Sequence, residues 1–182
     1  MKLLGIAGSL RKESLNLKLL KNAASLAKGQ GAEVEIFDLS PIPLYNGDVE
    51  AKGIPDSVKE LREKIASANG LLLSSPEYNH SIPGVLKNAI DWASRPPNTP
   101  FWGKPCAIFG ASPGEFGTVR GQLALRTTLT ALNVSLIAQP QFHLPFADGA
   151  FDENGKMKEK ERSEQLGKLI EKLIETIRKI KS

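Results

Sequence analysis

The sequence predicts an α/β domain in which a five-stranded parallel sheet is doubly wound and covered by helices on both faces. Short apolar segments alternate with segments of helical periodicity along the chain, which is typical of parallel strands joined by right-handed crossovers. The central strand segments are apolar throughout, as expected of strands buried on both faces. The chain has 182 residues and no evident linker, repeat or low-complexity segment, so residues 1–182 are expected to form one domain. Five such units favour the strand order 2-1-3-4-5.

The first part of the chain predicts two strands, a helix between them, a loop and a second helix. Lys2–Ala7 is a short apolar run that predicts the first strand, and Val34–Phe37 predicts the second. Between them, residues 14–28 carry leucines and alanines at helical spacing. Residues 39–54 contain two prolines and two glycines and predict a loop. Asp56–Asn69 has its apolar residues on one side of a helix.

The rest of the chain repeats this alternation. The predicted order is a third strand Leu71–Ser75, a loop Pro76–Pro83, a helix Gly84–Ser94, a fourth strand Cys106–Gly110, a loop Ser112–Gly117, a helix from about Thr118 to Leu132, a fifth strand Val134–Ala138 and a last helix from about Lys158 to Ile180. The last helix has an apolar stripe at three- and four-residue steps. In such a sheet, ligands bind beyond the carboxyl ends of the strands, so the loops after strands one, three and four are where we expect the site.

Composition argues against several classes of protein. Hydrophobic residues make up 41% and charged residues 24% of the chain, which favours a globular protein over a disordered one. No apolar run approaches the roughly 20 residues of a membrane span, so no membrane partner is expected. The net charge is +4, but lysines and glutamates alternate in the last helix, and aromatic residues are only 6% of the chain. We therefore expect no nucleic-acid partner.

Residues that carry metal or nucleophilic chemistry are few. The chain has two histidines, His80 and His143, and one cysteine, and no metal-ligand spacing is present. Cys106 lies in an apolar strand segment and is expected to be an inert core residue. A single cysteine fits a reducing compartment, so a cytoplasmic location is expected. No G-x-S-x-G motif of a serine hydrolase occurs.

The first loop carries polar residues at the start of a helix. A helix N-terminus offers free N–H groups and a partial positive charge to an anion. Ser9, Ser14 and Asn16 add short polar donors, and Arg11 adds a cation that can grip two phosphate oxygens. Since neither a G-x-G-x-x-G nor a G-x-x-x-x-G-K-[ST] motif is present, a terminal phosphomonoester is favoured over a dinucleotide or a nucleoside triphosphate. The alternative is that Ser14 only caps the helix and Arg11 is a surface charge.

The second loop is bracketed by Pro76 and Pro83, which restrict its backbone. A rigid loop can direct backbone N–H and C=O groups at the polar edge of a planar ligand, and Tyr78 adds a flat surface. The alternative is a proline-rich turn before an ordinary amphipathic helix.

The third loop, Ser112–Gly117, contains Gly114 and Gly117, which permit close approach of a ring to the backbone. The alternative is a flexible loop.

The second loop carries a family resemblance. Pro76-Glu77-Tyr78-Asn79 through Pro83-Gly84, continued by Leu86-Lys87-Asn88-Ala89-Ile90-Asp91-Trp92, resembles the signature of NADPH-dependent FMN reductases, a family that includes chromate and quinone reductases and some azoreductases. Gly8-Ser9-Leu10-Arg11 with Ser14 and Asn16 resembles the phosphate loop of that family, and the resemblance covers about residues 3–145.

The resemblance implies a flavodoxin-like fold with bound FMN, NADPH or NADH as the electron donor, and a small acceptor such as a quinone, a flavin, an azo compound or chromate. It also places Ser112 and its neighbours beside the flavin ring. The expected cofactor-binding residues are Ser9, Arg11, Ser14, Leu15, Asn16, Pro76, Glu77, Tyr78, Asn79, Ser112, Gly114 and Gly117. No catalytic side chain and no metal are expected, because the cofactor carries the chemistry.

The same resemblance implies ping-pong hydride transfer at one flavin face and a homodimer or homotetramer. The apolar Val85–Trp92 helix and the basic Arg95-Pro96-Pro97 turn form one candidate interface. One alternative function is a flavodoxin-type electron carrier reduced by a partner protein, although flavodoxins are strongly acidic and this chain is basic. Another is a flavin-free regulatory domain.

Overall fold

The computed structural model describes residues 1–181. The strands are β1 (Lys2–Ala7), β2 (Glu33–Phe37), β3 (Gly70–Ser74), β4 (Pro105–Ala111), β5 (Ser135–Leu136) and β6 (Phe142–Leu144). The helices are α1 (Leu15–Gly29), α2 (Gly47–Glu50), α3 (Asp56–Ser67), α4 (Gly84–Ala93), α5 (Val119–Ala131) and α6 (Lys160–Lys181), with a 3-10 turn at Ala147–Gly149. The predicted helices agree with α1, α3, α4, α5 and α6 to within two residues at each end.

The sheet is parallel, and its order β2-β1-β3-β4-β5 confirms the predicted doubly wound fold. Its fifth position is divided between two short strands. β5 pairs with Pro105 and Cys106, whereas β6 pairs with Phe109–Ala111 further along β4. The predicted strand Val134–Ala138 was therefore too long, and β6 was not predicted. Pro140, between the two pieces, has no N–H to donate to a ladder, which fits the interruption.

Apolar side chains alternate between two cores along each strand, as the two-residue period of a strand requires. Leu3 packs with α1 and α6 on one face, whereas Leu4 and Ile6 pack with α3, α4 and α5 on the other. The predicted apolar stripe of α6 is buried in the first core through Leu166, Leu169, Ile170, Leu173, Ile174 and Ile177. The buried sheet thus holds the carboxyl ends of its strands, and the loops that follow them, in fixed positions.

The predicted loop 39–54 contains the short helix α2 and is fastened to α4. Asn88 accepts a hydrogen bond from Tyr45 N at 2.8 Å and donates one to the Pro43 carbonyl at 2.8 Å. Trp92 Nε1 donates to the same carbonyl at 2.9 Å. Trp92 is completely buried, so the apolar side of α4 lies in the core of its own chain. The candidate interface required this side to lie on the surface. The attached loop carries exposed apolar side chains: Leu44, Tyr45 and Val49.

No helix among residues 1–181 is both long enough and apolar enough to span a membrane.

Candidate functional site

A cleft of about 370 Å³ lies at the carboxyl ends of the strands, where the three loops meet. Nine of the twelve predicted cofactor-binding residues line it: Ser9, Arg11, Ser14, Leu15, Asn16, Pro76, Glu77, Tyr78 and Ser112. Ala111 and Pro113 complete the lining. Asn79, Gly114 and Gly117 belong to the same loops but are not in this lining. The sheet therefore brings together residues that are up to about a hundred positions apart in the sequence.

The first loop ends in a capped helix start. Ser14 is the N-cap of α1, and its Oγ accepts a hydrogen bond from Leu17 N at 3.2 Å. The first N–H groups of a helix have no intrahelical acceptor, so those of Leu15 and Asn16 are suited to a bound anion. The Ser14 hydroxyl proton and the exposed Arg11 guanidinium add further donors. Ser14 thus caps the helix, as the alternative interpretation of the first loop held. Its hydroxyl proton is still available to donate to a ligand.

Asn16 joins the first loop to the ends of two strands. Its Nδ2 donates to the Ala111 carbonyl at 2.9 Å, while its Oδ1 accepts from Ala111 N at 2.9 Å and from Ser74 Oγ at 3.2 Å. Asn16 is buried. Its side chain was predicted to be a ligand donor, but the amide is committed to the protein itself. The backbone N–H of Asn16 is the group that a phosphate can use.

The second loop contains a two-residue turn. Tyr78 and Ser81 exchange backbone hydrogen bonds of 3.2 and 3.0 Å around Asn79 and His80, which have φ angles of 49° and 62°. Positive φ at both central residues is the pattern of a type I′ hairpin turn, which asparagine tolerates well. The turn explains why Asn79 lies outside the cleft lining. It leaves Tyr78 half-exposed at the rim.

The third loop is packed against β6. Ser112 N donates to the Leu144 carbonyl at 3.0 Å, and the Ser112 carbonyl accepts from Ala147 N at 3.0 Å. Gly117 has φ +53°, and a Cβ there would lie 2.8 Å from Pro145 N and 2.9 Å from Leu144 C. The absence of a side chain at Gly117 therefore lets the third loop approach the backbone of Leu144 and Pro145. The sequence suggested that it lets a ligand ring approach the loop.

The remaining reactive groups lie apart from the cleft lining. Cys106 is fully buried, and burial raises the pKa of its thiol, so it is the inert core residue that was expected. His143 lies in β6, where burial and then the nearby Arg126 guanidinium lower its pKa. Among residues 1–181, no three side chains of histidine, cysteine, aspartate or glutamate are grouped so that they could hold a metal ion.

The cleft therefore combines an anion-binding helix start with two rigid loops that can enclose a flat group. Donors for a phosphate lie on the first loop, and the backbone of the second loop can serve the polar edge of a ring. This donor set fits FMN, whose phosphate and ring are at opposite ends of the molecule. Among the residues that line the cleft, Glu77 is the only strong general acid or base. Its carboxylate accepts a hydrogen bond from Gly121 N at 2.8 Å.

Comparisons with known proteins point the same way. The family model described as NADPH-dependent FMN reductase matches residues 1–149. An NAD(P)H-dependent FMN reductase of Pseudomonas aeruginosa is 46% identical, with all of this chain and 97% of that protein covered. A 2-hydroxy-1,4-benzoquinone reductase of a Burkholderia species is 37% identical over 98% of this chain and 97% of its own length. The solved structure of FerB, an NAD(P)H:(acceptor) oxidoreductase flavoenzyme of Paracoccus denitrificans, has a TM-score of 0.90 and 34% identity, covering 98% of this chain and 97% of that one.

Proposed function

This chain belongs to the NADPH-dependent FMN reductase family, and we propose that it reduces quinones with electrons from NAD(P)H. It is an FMN-dependent oxidoreductase with a flavodoxin-like fold. The observation that carries the proposal is the convergence of nine predicted residues from three loops on one cleft. The overall reaction takes NAD(P)H, a proton and a quinone to NAD(P)⁺ and a hydroquinone, so two electrons and two protons reach the acceptor.

In this proposal the first loop holds the phosphate of FMN and the second loop holds its ring. The N–H groups of Leu15 and Asn16, the hydroxyls of Ser9 and Ser14 and the Arg11 guanidinium supply the phosphate donors. The second-loop backbone from Pro76 to Tyr78 supplies the polar groups for the ring edge, and Ser112 of the third loop lines the same cleft. When bound, FMN supplies the electron relay between the nicotinamide and the acceptor. The protein supplies orientation and a restricted opening, and no side chain needs to act as a catalytic acid or base.

The identity of the released flavin tests the cofactor assignment. Purified protein, or protein incubated with a mixture of FMN and FAD, is washed and heated, and the supernatant is analysed by HPLC. We expect FMN, because the first loop offers donors for one terminal phosphate. Recovery of FAD alone would contradict this assignment.

NAD(P)H oxidation without an added partner protein separates the enzyme from the electron carrier. We expect aerobic turnover with quinones, measured at 340 nm, when only NADPH or NADH and the acceptor are present. Turnover that requires a second protein would favour the flavodoxin-type alternative. A panel of quinones, free flavins, azo compounds and chromate would rank the acceptors.

The donor and the acceptor are proposed to use the same opening in turn. A hydride donor must come within about 3–3.5 Å of its acceptor atom, and this proposal has one flat ring at a time enter the cleft. Double-reciprocal plots with NADPH varied at several fixed quinone concentrations should give parallel lines, and high quinone should compete with NADPH. Intersecting lines together with a trapped ternary complex would show that two separate sites exist.

The oligomer and the location belong to the same proposal. We propose a homodimer or homotetramer in the cytoplasm. The exposed Leu44, Tyr45 and Val49 on the loop attached to α4 support an interface at this surface. Light scattering that gives a 20 kDa monomer at micromolar concentration would contradict the oligomer.

A further inference from the structure

We propose that Glu77 is a positioning residue that locks the second loop onto helix α5 and thereby fixes the width of the cleft. This inference rests on the proposed FMN site, but it assigns the Glu77 carboxylate to the protein and not to the cofactor. Glu77 Oε2 accepts a hydrogen bond from Gly121 N at 2.8 Å, and Oε1 lies 3.7 Å from Nη1 of Arg120. The Glu77 side chain is only 11% exposed. The bond to Gly121 is therefore well shielded from water.

Helix α5 needs this contact because its own N-cap residue does not supply it. Thr118 is the N-cap, but it has φ 76° and ψ 19°, and its side chain makes no capping hydrogen bond. The Thr118 hydroxyl instead accepts from Gln122 Nε2 at 3.0 Å. Gly121 is the third residue of the helix, which is a position that an N-cap side chain normally serves. Glu77, in the second loop, thus provides the capping hydrogen bond that the Thr118 side chain does not make.

Glu77 also brings a negative charge to a helix N-terminus, where it is stabilised by the helix dipole. The Arg120 guanidinium lies 4.1 Å from the centre of the Phe116 ring in the third loop. Arg120 therefore extends the connection from Glu77 in the second loop to Phe116 in the third. The Arg120 side chain is 42% exposed and lies 3.7 Å from the Glu77 carboxylate. Its ion pair with Glu77 therefore contributes less to holding the loop on the helix than the hydrogen bond to Gly121 does.

Backbone packing at Gly121 supports the same connection independently. A Cβ on Gly121 would lie 3.1 Å from the Ser81 carbonyl oxygen and 3.2 Å from Glu77 Cβ. The second loop therefore rests directly on the helix backbone, without a side chain between them. The loop expected to hold the ring and the helix that follows the third loop form one rigid unit.

The test compares Glu77→Ala, Glu77→Gln and Gly121→Ala with a matched control. Glutamine keeps an oxygen that can accept from Gly121 N, whereas alanine does not. Gly121→Ala keeps the glutamate but crowds the backbone of the second loop with a methyl group, so that the loop must shift to make room. Because alanine favours the helix, the fold should survive. Glu35→Gln is the control, because Glu35 is also ion-paired, to Lys64, but lies in β2 on the lining of another cavity.

Two measurements are made on each variant. In the cofactor-free protein, hydrogen exchange at the Gly121 amide should be about tenfold faster or more in Glu77→Ala and close to wild type in Glu77→Gln. The Kd for FMN, from fluorescence titration, should rise about tenfold or more in Glu77→Ala and in Gly121→Ala, and stay within about threefold in Glu77→Gln and Glu35→Gln. The absorption bands of bound FMN should be the same in Glu77→Gln as in the wild type.

Equal losses of FMN affinity in Glu77→Ala and Glu77→Gln, with altered flavin bands, would overturn the inference and show that the carboxylate touches the cofactor. An unchanged Kd in Glu77→Ala and Gly121→Ala would overturn it as well. If Glu77→Ala does not fold, Glu77→Gln and Gly121→Ala still decide the question. A wild-type protein that binds no FMN would refute the proposed function, whereas exchange at Gly121 would still test the contact itself.

Discussion

A cavity lies at the amino end of the parallel sheet and a cleft at its carboxyl end, and the two differ in size and in chemistry. At the amino end, a cavity of about 610 Å³ is bounded by Trp102, Lys104, Ile177 and the end of α3. At the carboxyl end, the cleft between the three loops is only about 370 Å³. In the larger cavity, the Lys104 ammonium group donates to the carbonyls of Ala66 and Ala68 at 3.0 and 2.7 Å. The smaller one has hydroxyls, helix N–H groups and Arg11 at its surface.

Volume is therefore a poor guide to function in this molecule. What distinguishes the carboxyl end is that hydroxyls, helix N–H groups and a guanidinium from different loops line one cleft, beside a closely packed backbone. Matched substitutions at the two ends test this contrast.

The largest effect is expected from a methyl group in the packed backbone of the carboxyl end. A Cβ at Gly110 would overlap the Ser75 carbonyl oxygen and the Thr118 hydroxyl, so Gly110→Ala should lower the free energy of unfolding by about 3 kcal/mol or more. Gly70, at the amino end, would meet mainly the flexible tip of Ile177 at 2.7 Å, so Gly70→Ala should cost about 1 kcal/mol. Urea denaturation measures both. A more costly Gly70→Ala would reverse the contrast.

A second pair of substitutions compares the cationic side chain of the cleft with that of the cavity at the amino end. Arg11→Ala should raise the Kd for FMN about ten- to hundredfold, because a hydrogen bond to a charged group contributes roughly 1.5–3 kcal/mol. Lys104→Ala should leave that Kd unchanged and lower the melting temperature instead. Fluorescence titration and thermal unfolding separate the two results. An unchanged Kd in Arg11→Ala would make Arg11 a surface charge, which is the alternative left open by the sequence.

A third pair compares two asparagines that bridge chain segments. Asn16→Ala removes three buried hydrogen bonds and leaves the Ala111 N–H and C=O unpaired, so unfolding should become easier by about 2 kcal/mol. Asn69 accepts one exposed hydrogen bond, from Lys2 N at 3.0 Å, and Asn69→Ala should cost less than about 1 kcal/mol. Chemical denaturation without added flavin measures both values. Equal costs would remove Asn16 from the structural role described above.

The smallest effect concerns pH. Burial and the Arg126 guanidinium lower the pKa of His143, so the unfolded chain binds a proton at this residue more readily than the folded one. Stability should therefore fall as the pH drops through about 6.5, the ordinary histidine pKa, towards the lower folded value. His143→Gln should flatten this acid slope, whereas Lys104→Met should not, since Lys104 lies at the opposite end of the sheet from β6. Melting temperatures between pH 7.5 and 5 give the slopes, and parallel slopes for wild type and His143→Gln would contradict the assignment.

The sequence predicted the features that depend on periodicity and chain order. Strand order followed from the alternation of strands and helices, and the three loops followed from the strand ends. β6 was missed because Phe142–Leu144 is three residues long and follows a proline, which leaves no periodicity to recognise. α2 was missed because Gly47–Glu50 lies in a stretch whose prolines and glycines predict a loop.

Side-chain partners at the site could not be predicted, because they join residues far apart in the chain. The sequence predicted Asn16 and Glu77 as cofactor-binding residues but did not indicate their partners within the protein. Asn16 bonds to Ala111, 95 positions away, and Glu77 bonds to Gly121, 44 positions away. Local sequence contains no signal for either pairing. The positive φ of Thr118, the N-cap of α5, is likewise not signalled by the local sequence, and Thr118 lies close to Gly110 of β4, which is eight positions earlier.

The interrupted fifth strand also limits how this molecule can aggregate. A long, unpaired sheet edge can recruit strands from other molecules and extend into fibrils. Here one edge is made of pieces of two and three residues separated by Pro140, too short to act as a template. The opposite edge, β2, carries the exposed residues Glu33 and Glu35, and charged residues on an edge strand disfavour the addition of a second strand. Copies of this chain are therefore expected to meet through helices and loops at high concentration and not by extending one sheet into another.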